Sequence, residues 1–133
     1  MQTLGIMATL PAQDLARAKA FYRDKVGLRT VESHFLEASD GRVGFAVGDG
    51  VNQLAIYPAQ AKSSGEFTQA VLQVPDVRAA VREMRSRGVR FEEYNTAETR
   101  TENGVAETPD GREGAWFKHS EGNLVGVICA LAG

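Results

Sequence analysis

The chain repeats itself, and that limits what it can fold into more than any other feature. Thr68 to Arg90 (TQAVLQVPDVRAAVREMRSRGVR) reads as apolar strand, Pro-Asp corner, amphipathic helix, glycine stop and the start of another strand. Met7 to Arg29 (MATLPAQDLARAKAFYRDKVGLR) runs in the same order. The interval from Asp14 to Gly27 matches that from Asp76 to Gly88 to within one residue. A repeat in register over this length points to two copies of one supersecondary unit, each too small to close a core alone.

Each copy continues in the same way. Leu4 to Leu10 is a short apolar strand, broken at Pro11. Asp14 caps a helix whose apolar stripe is Leu15, Ala18, Tyr22 and Val26, ended by Gly27. Thr30–Leu36, Arg42–Val47 and Val51–Tyr57 read as strands, separated by turns at Ser39-Asp40-Gly41 and Gly48-Asp49-Gly50. Small polar residues at 59–66 make a linker. Strand Phe67–Val74 follows, then a helix capped by Asp76 with Val77, Ala80, Val81 and Met84 on one face, then strands Val89–Tyr94, Gly114–Lys118 and Leu124–Ala130. Asn95–Gly104 is a polar loop without a counterpart in the first half. The expected organisation is α+β: one βαβββ module over 1–58, the linker, and a second βαβββ module over 67–133. Helices cover one side of each small sheet, and the other sides pack together or curl around a cavity.

Composition removes several classes of function. A chain of 133 residues is one domain's worth, and its net charge of −2 with scattered basic residues gives no footprint for nucleic acid. No apolar run approaches the roughly 20 residues of a membrane span. The opening MQTLGIMATL lacks the basic start and long apolar core of a secretory signal, so a soluble cytoplasmic protein is expected. The single Cys129 excludes an internal disulfide or a cysteine-based metal cluster, and it reads as a buried, inert thiol.

The sequence resembles the vicinal oxygen chelate superfamily, which includes glyoxalase I, bleomycin-resistance proteins and extradiol dioxygenases. The likeness lies in Asp14-Leu15 with Ala18 and Phe21-Tyr22, in Val26-Gly27-Leu28, and in Val74-Pro75-Asp76-Val77 with Arg87-Gly88-Val89. It closes with Ala115-Trp116-Phe117-Lys118-His119-Ser120-Glu121-Gly122-Asn123, similar to the family's strand and Asp-Pro-Asp-Gly-Asn turn. The resemblance implies a glyoxalase-like fold: paired βαβββ modules whose curled sheets form a cavity, commonly in a homodimer. Active members hold a divalent metal there with His, Gln or Glu from the first and last strands of each module.

At the positions this implies, the chain has Met7, Leu54, Gln69 and Gly126, with Gln53 expected to face away from the site. A thioether and one neutral amide do not suit a hard cation that prefers anionic oxygen or imidazole, so no metal or other cofactor is expected. Of the two histidines, His119 is expected to be solvated in its turn and His34 to lie at the surface; Glu37, Glu66, Glu92, Glu93 and Glu107 read as solvated carboxylates. Strand alternation assigns Met7, Thr9, Leu54, Ile56, Gln69 and Val71 to the cavity face, with packing as plain core the alternative, favoured for Leu54, Ile56 and Val71, and family analogy adds Trp116 and Phe45. Gly126 is expected to widen the pocket floor. The 95–104 loop reads as a surface loop or a lid bringing Arg100 to an anion.

The functional expectation is a binding protein that takes a small, partly apolar molecule in a metal-free cavity. The alternatives are a lyase, isomerase or dioxygenase of the same superfamily with an atypical site, perhaps using Gln69 as a ligand, and a structural or regulatory module with a filled core.

Overall fold

The computed structural model describes residues 1–3, 5–31, 42–48, 52–108, 111–119 and 121–129. His34, Glu37, the Ser39–Gly41 turn and the Asp49-Gly50 pair lie outside the described residues. The chain divides into two compact units, Met1–Ser63 and Ser64–Gly133, and the cut falls inside the 59–66 segment. The architecture is mixed α+β, with one sheet of four strands and one of five. No helix among the described residues is long and apolar enough to cross a membrane.

In the first unit, strands β1 (Met7–Ala12), β2 (Arg29–Val31), β3 (Val43–Val47) and β4 (Asn52–Pro58) lie in the order β1-β4-β3-β2. Only the β1–β4 pair is parallel, because a helical crossover joins β1 to the rest of the sheet. Helix α1 (Leu15–Ala20) starts where the Asp14 carboxylate accepts from the Arg17 N–H at 3.0 Å. It continues as a π-helix over Phe21–Val26 and stops at Gly27, whose φ of 88° suits a residue without a Cβ. Beyond Ala18 the stripe advances only by fours, to Tyr22 and Val26. Winding wider than 3.6 residues per turn keeps such a stripe turned toward the sheet.

Pairing in this unit shifts the expected phase of alternation by one residue. Met7 stands opposite Gln53 and Thr9 opposite Ala55, whereas Ala8 and Leu10 stand opposite Leu54 and Ile56. Phe45 pairs with Leu54, and its ring lies 5.8 Å from that of Tyr22 on the helix. Ladder partners share a face. Phe45, Leu54 and Ile56 therefore belong to the helix-side core, at 0%, 3% and 0% exposure. The face with Met7 and Thr9 carries Gln53 and Ala55 instead. Burial decides the phase: a slip of one residue would put Leu54 and Ile56 outside and Gln53 inside.

The second unit contains β5 (Thr68–Val74), α2 (Val77–Ser86), β6 (Thr101–Glu102), β7 (Val105–Glu107), β8 (Glu113–Lys118) and β9 (Leu124–Cys129), with strand order β5-β9-β8-β7-β6. The Asp76 carboxylate accepts from the Ala79 N–H at 3.0 Å, and Val77 and Val81 of α2 pack with Val105 and Ala115. The expected strand Val89–Tyr94 makes only a single bridge, Phe91 to Phe117. Its place beside β8 goes to β7, the second strand of a tight hairpin. Asn103 and Gly104 at its tip have φ of 53° and 80°, the pairing a two-residue type I′ turn needs. The loop expected over 95–104 thus includes β6 and this turn.

Candidate functional site

With α2 on one face of the second sheet, the other face carries what that core leaves out. Trp116 pairs with Gly126, Gly114 with Ile128, and Ala106 with Gly114, so these five residues share the face away from Ala115 and Val127. A cavity of about 260 Å³ opens there, with Ala106, Gly114, Trp116 and Ile128 at its base and Arg100 and Arg112 at its edge. Glu113 also reaches it, with its carboxylate in an ion pair with Arg78 of α2.

The walls are built from two fastened turns. Tyr94 and Thr101 are tied in both directions: the Tyr94 N–H donates to Thr101 Oγ1 at 2.7 Å, and the Tyr94 carbonyl accepts from the Thr101 N–H at 2.9 Å and from its hydroxyl at 3.3 Å. Inside that clamp, Thr96 and Thr99 close a tight turn, with the Thr99 N–H donating to Thr96 Oγ1 at 2.9 Å. This segment carries Glu98, Thr99 and Arg100 to the cavity. On the other side, the Arg112 N–H donates to Thr108 Oγ1 and the Thr108 N–H to the Arg112 carbonyl, at 3.0 and 2.7 Å. The 95–104 segment is accordingly a hairpin wall.

Trp116 is half-buried, and Tyr94 meets it edge-on with ring centroids 5.6 Å apart at 85°. Partial burial, and secondarily the Glu92 carboxylate, push the Tyr94 phenol above its ordinary pKa. The expectation that Gly126 opens the floor is corrected by the indole. A Cβ built at Gly126 would stand only 3.2 Å from Trp116 Nε1, so the tryptophan occupies the space that the missing side chain leaves.

Gln69 lies at the mouth of a polar network. Its Nε2 donates to Asn123 Oδ1 at 2.9 Å, and its Oε1 accepts from the Leu124 N–H at 3.2 Å. Asn123 Nδ2 meets His119 Nε2, and His119 Nδ1 accepts from the Glu121 N–H at 3.0 Å. His119, Glu121 and Asn123 are buried, which overturns the solvated reading of His119: the turn before β9 folds His119 and Asn123 inward onto each other. Buried polar groups persist when they are mutually satisfied in this way. Cys129 is half-buried, not fully buried as expected; its Sγ lies 3.6 Å from the Pro75 carbonyl, at the cavity's edge.

Of the eight residues expected to line the site, the structure brings only Trp116 to this cavity. Gln69 and Val71 lie on the same sheet face but outside it. Met7 and Thr9 lie on the corresponding face of the first sheet, and Phe45, Leu54 and Ile56 lie in that unit's helix-side core. Tyr94, Gly114, Ile128 and Arg112 escaped the sequence reading. The Asn103-Gly104 dipeptide was the available signal, because it places β7 and hence the 94–101 wall beside β8.

The model of the glyoxalase/bleomycin resistance protein/dioxygenase superfamily matches residues 6–117. Among solved structures, the chain is similar to a bleomycin-binding protein from bleomycin-producing Streptomyces verticillus, complexed with copper(II)-bleomycin (22% identity, TM-score 0.71, 98% of each chain covered). It is also similar to TnmS3, an antibiotic binding protein from Streptomyces sp. CB03234 (21%, 0.67, 96% of each chain), and to a lactoylglutathione lyase from Agrobacterium tumefaciens (21%, 0.66, 94% of this chain and 92% of that one). At such identities the structural likeness speaks for a glyoxalase-like fold. None of the curated protein sequences matches this chain. With the family model covering most of its length, the chain belongs to the glyoxalase/bleomycin resistance protein/dioxygenase superfamily.

Proposed function

We propose that this protein binds a small, partly apolar molecule in the second unit's cavity, without a metal ion. The observation that carries the reading is the cavity itself, about 260 Å³ over an indole floor with both arginines and glutamates around it. Such lining favours a ring system held by apolar contact and oriented by a few polar groups. The antibiotic-binding and bleomycin-binding proteins of the same fold lend support to this ligand class.

The residues at the expected metal positions do not fit a divalent ion. In the first unit the cross-strand partners Met7 and Gln53 offer a thioether and a neutral amide. In the second, both ends of the Gln69 amide are engaged with Asn123 and the Leu124 N–H, and Gly126 offers no donor. Among the described residues no group of three or more His, Cys, Asp or Glu is placed to hold a metal. Hard cations need several anionic or imidazole donors converging on one point.

Elemental mass spectrometry of protein purified without chelator tests the metal-free part. Near one equivalent of metal per chain would favour a lyase, isomerase or dioxygenase. A panel of aromatic compounds and antibiotics, read by Trp116 quenching and thermal shift, tests the binding part, and failure of every member to bind would count against it. A homodimer belongs to the same proposal. Ile6 and Phe67 are exposed apolar side chains that a second copy could cover, and a monomer by light scattering would remove that element.

A further inference from the structure

We propose that Gly126 is the specificity-determining position of this cavity: lacking a side chain, it lets the Trp116 indole lie along the sheet and so gives the site a flat aromatic floor that favours planar ligands. This rests on the binding reading above and names the class of molecule that the same site takes.

A glycine inside a strand weakens it and often marks a place where another group comes close. The cavity face has two, Gly114 on β8 and Gly126 on β9. Neither has a positive φ, so the backbone does not require glycine at either position. Space separates them. A Cβ at Gly126 would stand 3.2 and 3.3 Å from Nε1 and Cδ1 of Trp116 and 3.4 Å from Val71 Cγ2. A Cβ at Gly114 would meet Trp116 Cη2 at 3.5 Å, with Ile128 Cγ2 and the Val127 carbonyl at 3.7 Å. Carbon atoms pack best at about 3.5–4.0 Å. Gly114 therefore has room for a methyl group, whereas at Gly126 the indole would have to give by a few tenths of an ångström.

These contacts also fix how the ring lies. Its pyrrole edge rests over Gly126 and its benzo end points toward Gly114, so the indole runs along the sheet instead of standing up from it. Tyr94, clamped by Thr101, holds it edge-on from the side. A methyl at 126 lifts the pyrrole edge into a cavity of only about 260 Å³. A glutamate at 126, the residue type the family resemblance expects there, meets the same obstacle. It displaces the indole before it can complete a metal site.

Gly126→Ala and Gly114→Ala, made in the full chain, form a matched pair, with the single tryptophan as reporter. Emission maximum and acrylamide quenching are recorded without ligand. Affinities follow for a planar probe, anthraquinone-2-sulfonate, and a globular one, adamantane-1-carboxylate. Gly126→Ala is expected to change the Trp116 signal and to weaken the planar probe by about tenfold or more, while Gly114→Ala, which has room for its methyl group, is expected to leave the ligand-free Trp116 signal as in the parent. The parent is expected to prefer the planar probe by at least about tenfold. If Gly126→Ala fails to fold, the double variant Trp116→Phe/Gly126→Ala is expected to fold, because a shorter ring no longer overlaps position 126; failure of that rescue overturns the inference. So do a Gly126→Ala protein with unchanged signal and affinity, or equal binding of both probes, and both results leave the binding reading intact. A parent that binds neither probe counts against the binding reading, while the ligand-free Trp116 signals still decide the seat.

Discussion

Asn123 offers the sharpest test of whether Gln69 is a structural clasp or a ligand waiting for a metal. Its side chain is fully buried, accepting from Gln69 Nε2 at 2.9 Å and meeting Nε2 of His119, itself 4% exposed. Truncation to alanine removes both contacts. Gln69 is exposed and turns to water, so losing that bond costs about 0.5–1.5 kcal/mol. His119 is sealed in, and stripping a buried polar atom of a partner costs about 1–3 kcal/mol. Asn123→Ala should therefore destabilise the second unit by about 1.5–4.5 kcal/mol, lowering Tm by roughly 5–18 °C for a chain of this size. Urea unfolding followed by Trp116 fluorescence reads this unit specifically, because the only tryptophan lies within it. Gln69→Ala and the double variant complete a cycle. A clasp gives a coupling energy of about 0.5–1.5 kcal/mol between the two positions. A loss under about 1 kcal/mol for Asn123→Ala, or strict additivity, would refute the clasp and return Gln69 to the list of possible ligands.

Trp116→Ala is expected to weaken any aromatic compound found in the ligand panel by about 10- to 100-fold, measured by calorimetry, since stacking on an aromatic ring is worth about 1–3 kcal/mol. Gly104→Ala should lower stability by about 1–3 kcal/mol in urea titrations, because φ is +80° there and a Cβ would stand 2.7 Å from Arg85 Nη2 and 2.9 Å from Phe91 Cβ. Burial pushes the Tyr22 phenol far above its ordinary value of 10.0, and Tyr94 shifts in the same direction. A folded pKa above the unfolded one gives stability that is fully present below about pH 10 and lost as pH rises beyond it. Urea midpoints by circular dichroism should thus fall above about pH 10, and Tyr22→Phe should remove part of that fall.

Much of the fold was readable because it rests on local signals. Asp14 and Asp76 have cap chemistry and are caps, Gly27 stops its helix, and the apolar stripes of both helices face their sheets. The repeat announced two similar units. Val89–Tyr94 misled because its β-forming composition outweighed the two-residue Asn103-Gly104 signal, and short strands such as β6 and β7 have too few residues to show a period. His119 misled for a different reason. Its partner Asn123 lies in the same turn and is itself held by Gln69 of β5, and nothing in a turn's composition says that its side chains will fold inward.

By itself, the sequence determined the α+β class, the duplication, the helix boundaries, the resemblance to the family and the poverty of metal donors. Those depend on residue type and spacing, which are fixed before the chain folds. Tertiary structure decided which face each strand presents. Alternation has a period of two but no inherent phase, and only competition for burial moved Phe45, Leu54 and Ile56 to the helix side and left Gln53 beside Met7. It also decided where the second unit's cavity lies. The cavity exists because β7, β8 and β9 align Ala106, Gly114 and Ile128 beside an indole that Gly126 lets down onto the sheet. That relation between residues distant in sequence is set by pairing register and packing, and only the folded unit contains it.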